Sequence, residues 1–242
     1  MIKGFIFDLD NTLVNDEKGW NIALEQTCEF ISSSSLNLGY SKKDIFMAYE
    51  LVSDYLWSNY SKYLSHFYTR KEKRNYVWQK TLEYLKCYEN ELQINEIVEV
   101  FSEKRENNVI LYDYAQELLV RINEMGIKVI ICTDGEEKLQ KMKCKKANID
   151  SLIAKIVSAT DLGCIKPDKK VFDECIQFFG TEVNTLMYIG DHEVKDIEGA
   201  RNAGMQAVLV NEENGIKLKD IYNNIEDIVK NGKFAVRKGC DY

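Results

Sequence analysis

The chain has 242 residues, 45% of them hydrophobic, with 32 basic and 39 acidic side chains for a net charge of −7. That length exceeds one average domain, and the apolar share supports a large buried core. The acidic balance argues against a dedicated nucleic-acid or membrane-surface protein, which needs a basic excess, and suits a site that draws in a divalent cation.

Met1 to Asn15 reads MIKGFIFDLDNTLVN. Its run Phe5-Ile6-Phe7 predicts a buried parallel strand, because both faces of such a strand must be apolar. Asp8 and Asp10 follow at once. Two carboxylates at a strand end are costly unless they bind a cation or do chemistry, and in open α/β sheets that end is where ligands bind. Residues 16–109 change character. Spacings such as Ile45, Tyr49, Val52, Leu56 and Trp78, Leu82, Leu85 predict several helices without strands. Ser32 to Ser35 with Gly39 marks a turn.

Strand and helix then alternate. Tyr112 to Met125 reads as an amphipathic helix stopped by Gly126. Val129 to Cys132 is a buried strand ending in Thr133-Asp134-Gly135. Glu136 to Ala147 is a lysine-rich helix, Lys155 to Ser158 a short strand, and Asp161 to Pro167 a loop. Asp168 to Phe179 is a helix ended by Gly180, and Thr185 to Ile189 a strand ending in Gly190-Asp191. Asp196 to Ala203 is a helix and Met205 to Val210 a last strand. The alternation predicts an α/β fold: a doubly wound, Rossmann-like parallel sheet from residues 1–15 and 110–242. Residues 16–109 form an all-helical insertion whose connections lie beside Asp8 and Asp10, where a lid would attach.

Other features read as structural. Lys138, Lys141, Lys143, Lys145 and Lys146 form a solvated helix face. Tyr55, Trp57, Tyr60, Tyr63, Tyr68, Tyr76 and Trp78 belong mostly to the core of a helical bundle, and Arg70 to Arg74 is a solvated turn. Seven scattered cysteines, Cys240 the last, lack a C-x-x-C pair, and His66 and His192 are the only histidines. Reduced thiols are therefore expected rather than a disulfide framework, a zinc site or a histidine metal centre. The N-terminal apolar run is broken by Asp8, so neither signal peptide nor membrane span is expected, and the location is cytoplasmic.

Polar residues thus recur at strand ends: Asp8 and Asp10, Thr133, then Asp191. Lys166 joins from a loop, restricted to extended conformations by Pro167. DLDNT (8–12), the strand ending in Thr133, Lys166-Pro167 and GDHEVKD (190–196) resemble, in order, the motifs of the haloacid dehalogenase superfamily. The insertion resembles that family's helical cap, most closely in the N-acylneuraminate-9-phosphatase and 5′-nucleotidase branch.

The resemblance implies a Mg²⁺-dependent phosphomonoester hydrolase acting on a small phosphorylated metabolite, a sugar phosphate or nucleotide, as a monomer or homodimer. Asp8 would be the nucleophile that becomes an aspartyl-phosphate, and Asp10 the general acid and base. Thr133 and the backbone of Asp134 would hold phosphate oxygens beside Lys166. Asp8, the Asp10 carbonyl and Asp191 would hold the metal, while Asp196 supports the metal's water shell or orients Lys166. Read without the resemblance, Asp196 could be only the N-cap of its helix. Two residues depart from the family's common pattern, Asp134 after the second-motif threonine and His192 after Asp191. A haloacid dehalogenase proper would use Asp8 on carbon but needs no proton donor such as Asp10. A phosphomutase would differ in the phosphoryl acceptor. A phospho-accepting signalling domain would carry its accepting aspartate on a later strand. A silent binding protein would not need the whole set.

Overall fold

The computed structural model describes residues 1–33, 39–67, 69–87, 91–232 and 234. Ser34 and Ser35 of the expected turn, Tyr68 and Cys240 lie outside them. The chain divides into two compact units, Met1–Asp16 with Val109–Tyr242, and Glu17–Asn108.

The first unit is built on β1 (Gly4–Phe7), β2 (Lys128–Thr133), β3 (Lys155–Ser158), β4 (Leu186–Gly190) and β5 (Gln206–Leu209). All pairings are parallel, in the order β3-β2-β1-β4-β5. The first strand is therefore central, with Gly4 opposite both Lys128 and Leu186, and it is buried along its length. That is why its sequence is apolar at every position rather than at alternate ones.

The second unit carries α1 (Asp16–Ser33), which starts at the boundary, and α2 (Lys42–Ser58), α3 (Tyr60–Tyr63), α4 (Arg70–Tyr84) and α5 (Glu91–Asn107). Capping boxes start α2 at Ser41 with Asp44 and α4 at Thr69 with Glu72, each satisfying amides that the helix itself cannot. An aromatic cluster fills the core: Tyr49 and Trp78 lie 4.5 Å apart, and Trp20 meets Phe101 edge-on at 4.9 Å. Tyr63 and Tyr76 pack against it. Tyr55, Trp57 and Tyr60, expected inside, are exposed instead. The basic run is not a turn but the first turns of α4. There Arg74 donates to Ser102 Oγ at 2.9 Å and lies over the Phe101 ring.

Back in the first unit, α6 (Ala115–Glu124), α7 (Glu137–Lys146), α8 (Lys169–Phe179), α9 (Gly199–Asn202) and α10 (Leu218–Asn231) cover the sheet. Phe5, Phe7, Ile131 and Ile189 face Leu118 and Ile122 of α6, Cys144 of α7 and Ile221 and Ile225 of α10. Ile6, Ile130 and Tyr188 on the other face meet Phe172 and Cys175 of α8 and Ala200 of α9. The helix expected from Tyr112 begins at Ala115, since Tyr114 takes a left-handed φ of 67°. The helix expected from Asp196 begins earlier, as a wide π-turn over Glu193–Glu198 that runs into α9. Among the described residues no helix is long and apolar enough to cross a membrane.

Candidate active site

The carboxyl ends of β1, β2 and β4 gather the chemistry-bearing side chains. Asp8 follows β1 directly, and its N–H still donates to Ile189 O at 2.9 Å, so the strand's hydrogen bonding runs on into it. The chain then turns back sharply. Asn11 adopts φ 62°, a conformation asparagine tolerates, and its N–H donates to Val14 O. Within this loop Thr12 donates to Asp191 Oδ1 at 3.2 Å, tying the end of β1 to the end of β4.

Lys166 is the centre of the group. Its Nζ lies 2.7 Å from Asp8 Oδ1 and 2.6 Å from Asp196 Oδ1, and donates to Cys132 O and the Tyr188 hydroxyl. Lys166 is 4% exposed and Asp196 1%, so these partners replace the water both ions have lost. Burial pushes the Asp8 carboxyl up to about 7. Lys166 pulls it down and Asp196 pushes it further up. Burial disfavours the Lys166 ammonium, but the facing Asp8 and Asp196 carboxylates outweigh it and hold its pKa above the usual lysine range. Burial, then Asp196, raises Asp191.

Asp8, Asp191 and Asp196 each bring a carboxylate oxygen within 4.8 Å of the others. Three carboxylates around one lysine leave negative charge to be balanced, and an all-oxygen donor set suits a hard divalent cation. The Asp10 carboxylate points elsewhere. It accepts from Gln140 Nε2 at 3.0 Å and from the Lys143 ammonium, both on α7.

Thr133 closes β2, and its Oγ1 accepts from Gly135 N at 3.0 Å and from Gln140 Nε2 at 2.9 Å. Asp134 Oδ1 accepts from the Lys166 backbone N–H at 2.8 Å, so this side chain holds the lysine loop. Asp196 is not the N-cap of its helix. That position belongs to His192, whose Nδ1 accepts from the amides of Val194 and Lys195. The π-turn instead carries Asp196 inward onto Lys166 and Tyr188, and Asp196 Oδ2 accepts from His192 N.

Three residues of the site were not anticipated. Tyr188 donates to Asp196 Oδ1 at 2.9 Å. A lone phenol in the buried strand LMYIG was the signal, since its hydroxyl needs a partner. Gln140 and Lys143 stand three apart on α7, on one helix face. Lys143 is a correction to the solvated lysine face: Lys138, Lys141, Lys145 and Lys146 are exposed, but Lys143 is paired with Asp10 and with Asp16.

A model of haloacid dehalogenase-like hydrolases matches residues 2–204. The glyceraldehyde 3-phosphate phosphatase of Pyrococcus abyssi is 26% identical over 212 residues, 86% of this chain and 81% of that protein. The mouse N-acylneuraminate-9-phosphatase is 23% identical over 211 residues, 86% of this chain and 82% of that protein. The structure of Bacillus subtilis YfnB, solved bound to magnesium, superposes with a TM-score of 0.68 at 20% identity, covering 93% of this chain and 99% of that one. Sequence match, parallel sheet and strand-end carboxylates agree, and the chain belongs to the haloacid dehalogenase-like hydrolase family.

Proposed function

We propose that the protein is a Mg²⁺-dependent phosphomonoester hydrolase that cleaves a small phosphorylated metabolite through an aspartyl-phosphate on Asp8. The observation that carries this reading is the placement of Asp8 against Lys166, beside Asp191 and Asp196, at adjoining strand ends. The phosphatase names of the relatives support the same reaction class.

Asp8 attacks phosphorus in line. The Asp8 oxygen–phosphorus bond forms, the bond to the leaving oxygen breaks, and Asp10 gives that oxygen a proton. Asp10 then takes a proton from the water that releases phosphate. Thr133 and the Asp134 N–H hold non-bridging oxygens, and Lys166 offsets the charge they gain. Asp196 and Tyr188 keep Lys166 pointed at Asp8. Asp8, the Asp10 carbonyl and Asp191 would hold Mg²⁺, which when bound supplies the positive charge that lets a carboxylate approach a phosphate dianion. Asp10 would have no task if the leaving group were halide, which disfavours a dehalogenase.

The helical unit, inserted straight after the Asp8–Asn15 loop, acts as a cap that sets which metabolite is accepted. A cytoplasmic location fits the free thiols among the described residues.

A panel of p-nitrophenyl phosphate, sugar phosphates and nucleotides, with Mg²⁺ or with EDTA, tests the reading. Turnover should require the metal and vanish in Asp8→Asn. Metal-independent turnover, or full activity in Asp8→Asn, sinks it. Replacing Glu17–Asn108 by a short linker should erase discrimination among natural esters while sparing some p-nitrophenyl phosphate cleavage; retained discrimination would remove the cap's role.

A further inference from the structure

We infer that Gln140 and Lys143 are positioning residues for Asp10, a two-point clamp that fixes its carboxylate in one orientation and ties it to Thr133. The inference rests on the phosphatase reading above, and it adds the residues on which proton transfer would depend.

Each oxygen of the Asp10 carboxylate has its own donor from α7: Oδ2 from Gln140 Nε2 and Oδ1 from Lys143 Nζ. The two donors stand at i and i+3, so one helix face presents both. Gln140 is buried, and the same Nε2 also donates to Thr133 Oγ1 at 2.9 Å. One amide therefore spaces the residue that would give the proton from the residue that would hold the phosphate. Its Oε1 is buried without a partner.

The backbone makes room for this amide. A Cβ on Gly135 would lie 2.1 Å from Gln140 Nε2, so the loop after Thr133 fits the clamp only as glycine. Lys143 has a second anchor, Asp16 Oδ1 at 2.9 Å, which keeps the ammonium in place when Asp10 exchanges its proton. The Asp10 side chain is 34% exposed. Without the clamp its torsions would be set by solvent, and a misplacement of about 1 Å can cost about 100-fold in rate.

The step served is the second one, because a carboxylate that accepts at both oxygens is the form that takes up a proton. Asp10 takes a proton from water as the water oxygen–phosphorus bond forms and the Asp8 oxygen–phosphorus bond breaks, releasing phosphate. With p-nitrophenyl phosphate the phenolate burst reads formation of the aspartyl-phosphate and the steady-state rate reads its hydrolysis. Lys143→Met should lower the steady-state rate about 100-fold, within the range of general base catalysis, and the burst rate far less. The ratio of the two rates should shift by at least about tenfold, with partial rescue in Lys143→Arg. Gln140→Met should shift the ratio in the same sense.

An equal loss in burst rate and steady-state rate overturns the clamp, because a merely structural role slows both steps alike. Failure of both variants to fold overturns it too, since α7 would then be needed for the fold itself. The phosphatase reading fails separately, if Asp8→Asn still gives a full phenolate burst.

Discussion

An ammonium as buried as that of Lys166 survives only because two carboxylates and a phenol take the place of water. Removing one member of a buried charge group costs about 3–5 kcal/mol, because the others are left uncompensated. Lys166→Met would leave Asp8 and Asp196 facing each other with no cation between them. It should abolish turnover and lower metal-free stability by about 3–5 kcal/mol, read by denaturant unfolding. Residues of this kind were legible in the sequence. Asp8, Asp10, Lys166 and Asp191 carry charge at strand ends or beside a proline, where charge is conspicuous. Tyr188, Gln140 and Lys143 were not, because a neutral phenol, an amide or one lysine among many gains its meaning from a carboxylate on another element, eight residues on for Tyr188 and 130 or more residues back for Gln140 and Lys143.

The strands and helices of the first unit were legible for a related reason. Their apolar runs are short, distinct and separated by glycine or acidic breaks, and β3 and α8 fall within a residue of the expected bounds. The π-turn was hidden because its purpose is tertiary. It admits an extra residue so that Asp196 can turn inward. Gly190 at the end of β4 makes that possible, since a Cβ there would meet the Asp196 side chain at 2.6 Å. Gly190→Ala should therefore cost about 1–3 kcal/mol by overpacking and weaken Lys166 positioning, measured as a lower kcat with little change in KM. The helix α10 went unforeseen although its spacing of Leu218, Ile221, Ile225 and Ile228 is amphipathic. No motif lies within residues 211–231 to draw attention to the pattern.

For the whole molecule, the acidic cluster makes the apo protein bear a local charge imbalance that a divalent cation relieves. Mg²⁺ should raise the Tm, by about 3 kcal/mol of linkage when its concentration is 100-fold above Kd, and Asp191→Asn should remove most of that rise. Asp8 is raised to about 7 without metal. Below that pH a proton competes for the same oxygen, so the Mg²⁺-dependent rise should shrink as pH falls through about 7 and level off above it. A rise independent of pH, or retained in Asp191→Asn, would place the cation elsewhere. The order of the strands has a consequence for biosynthesis. The central strand leaves the ribosome before the strands it pairs with, whose partner residues are Lys128 to Ile131 and Leu186 to Ile189. The nascent chain must carry Phe5-Ile6-Phe7 unpaired while the contiguous helices of Glu17–Asn108 are already complete enough to collapse. Synthesis halted before Leu186 leaves that sticky segment without its second partner, which makes it the place where a chaperone would have to act.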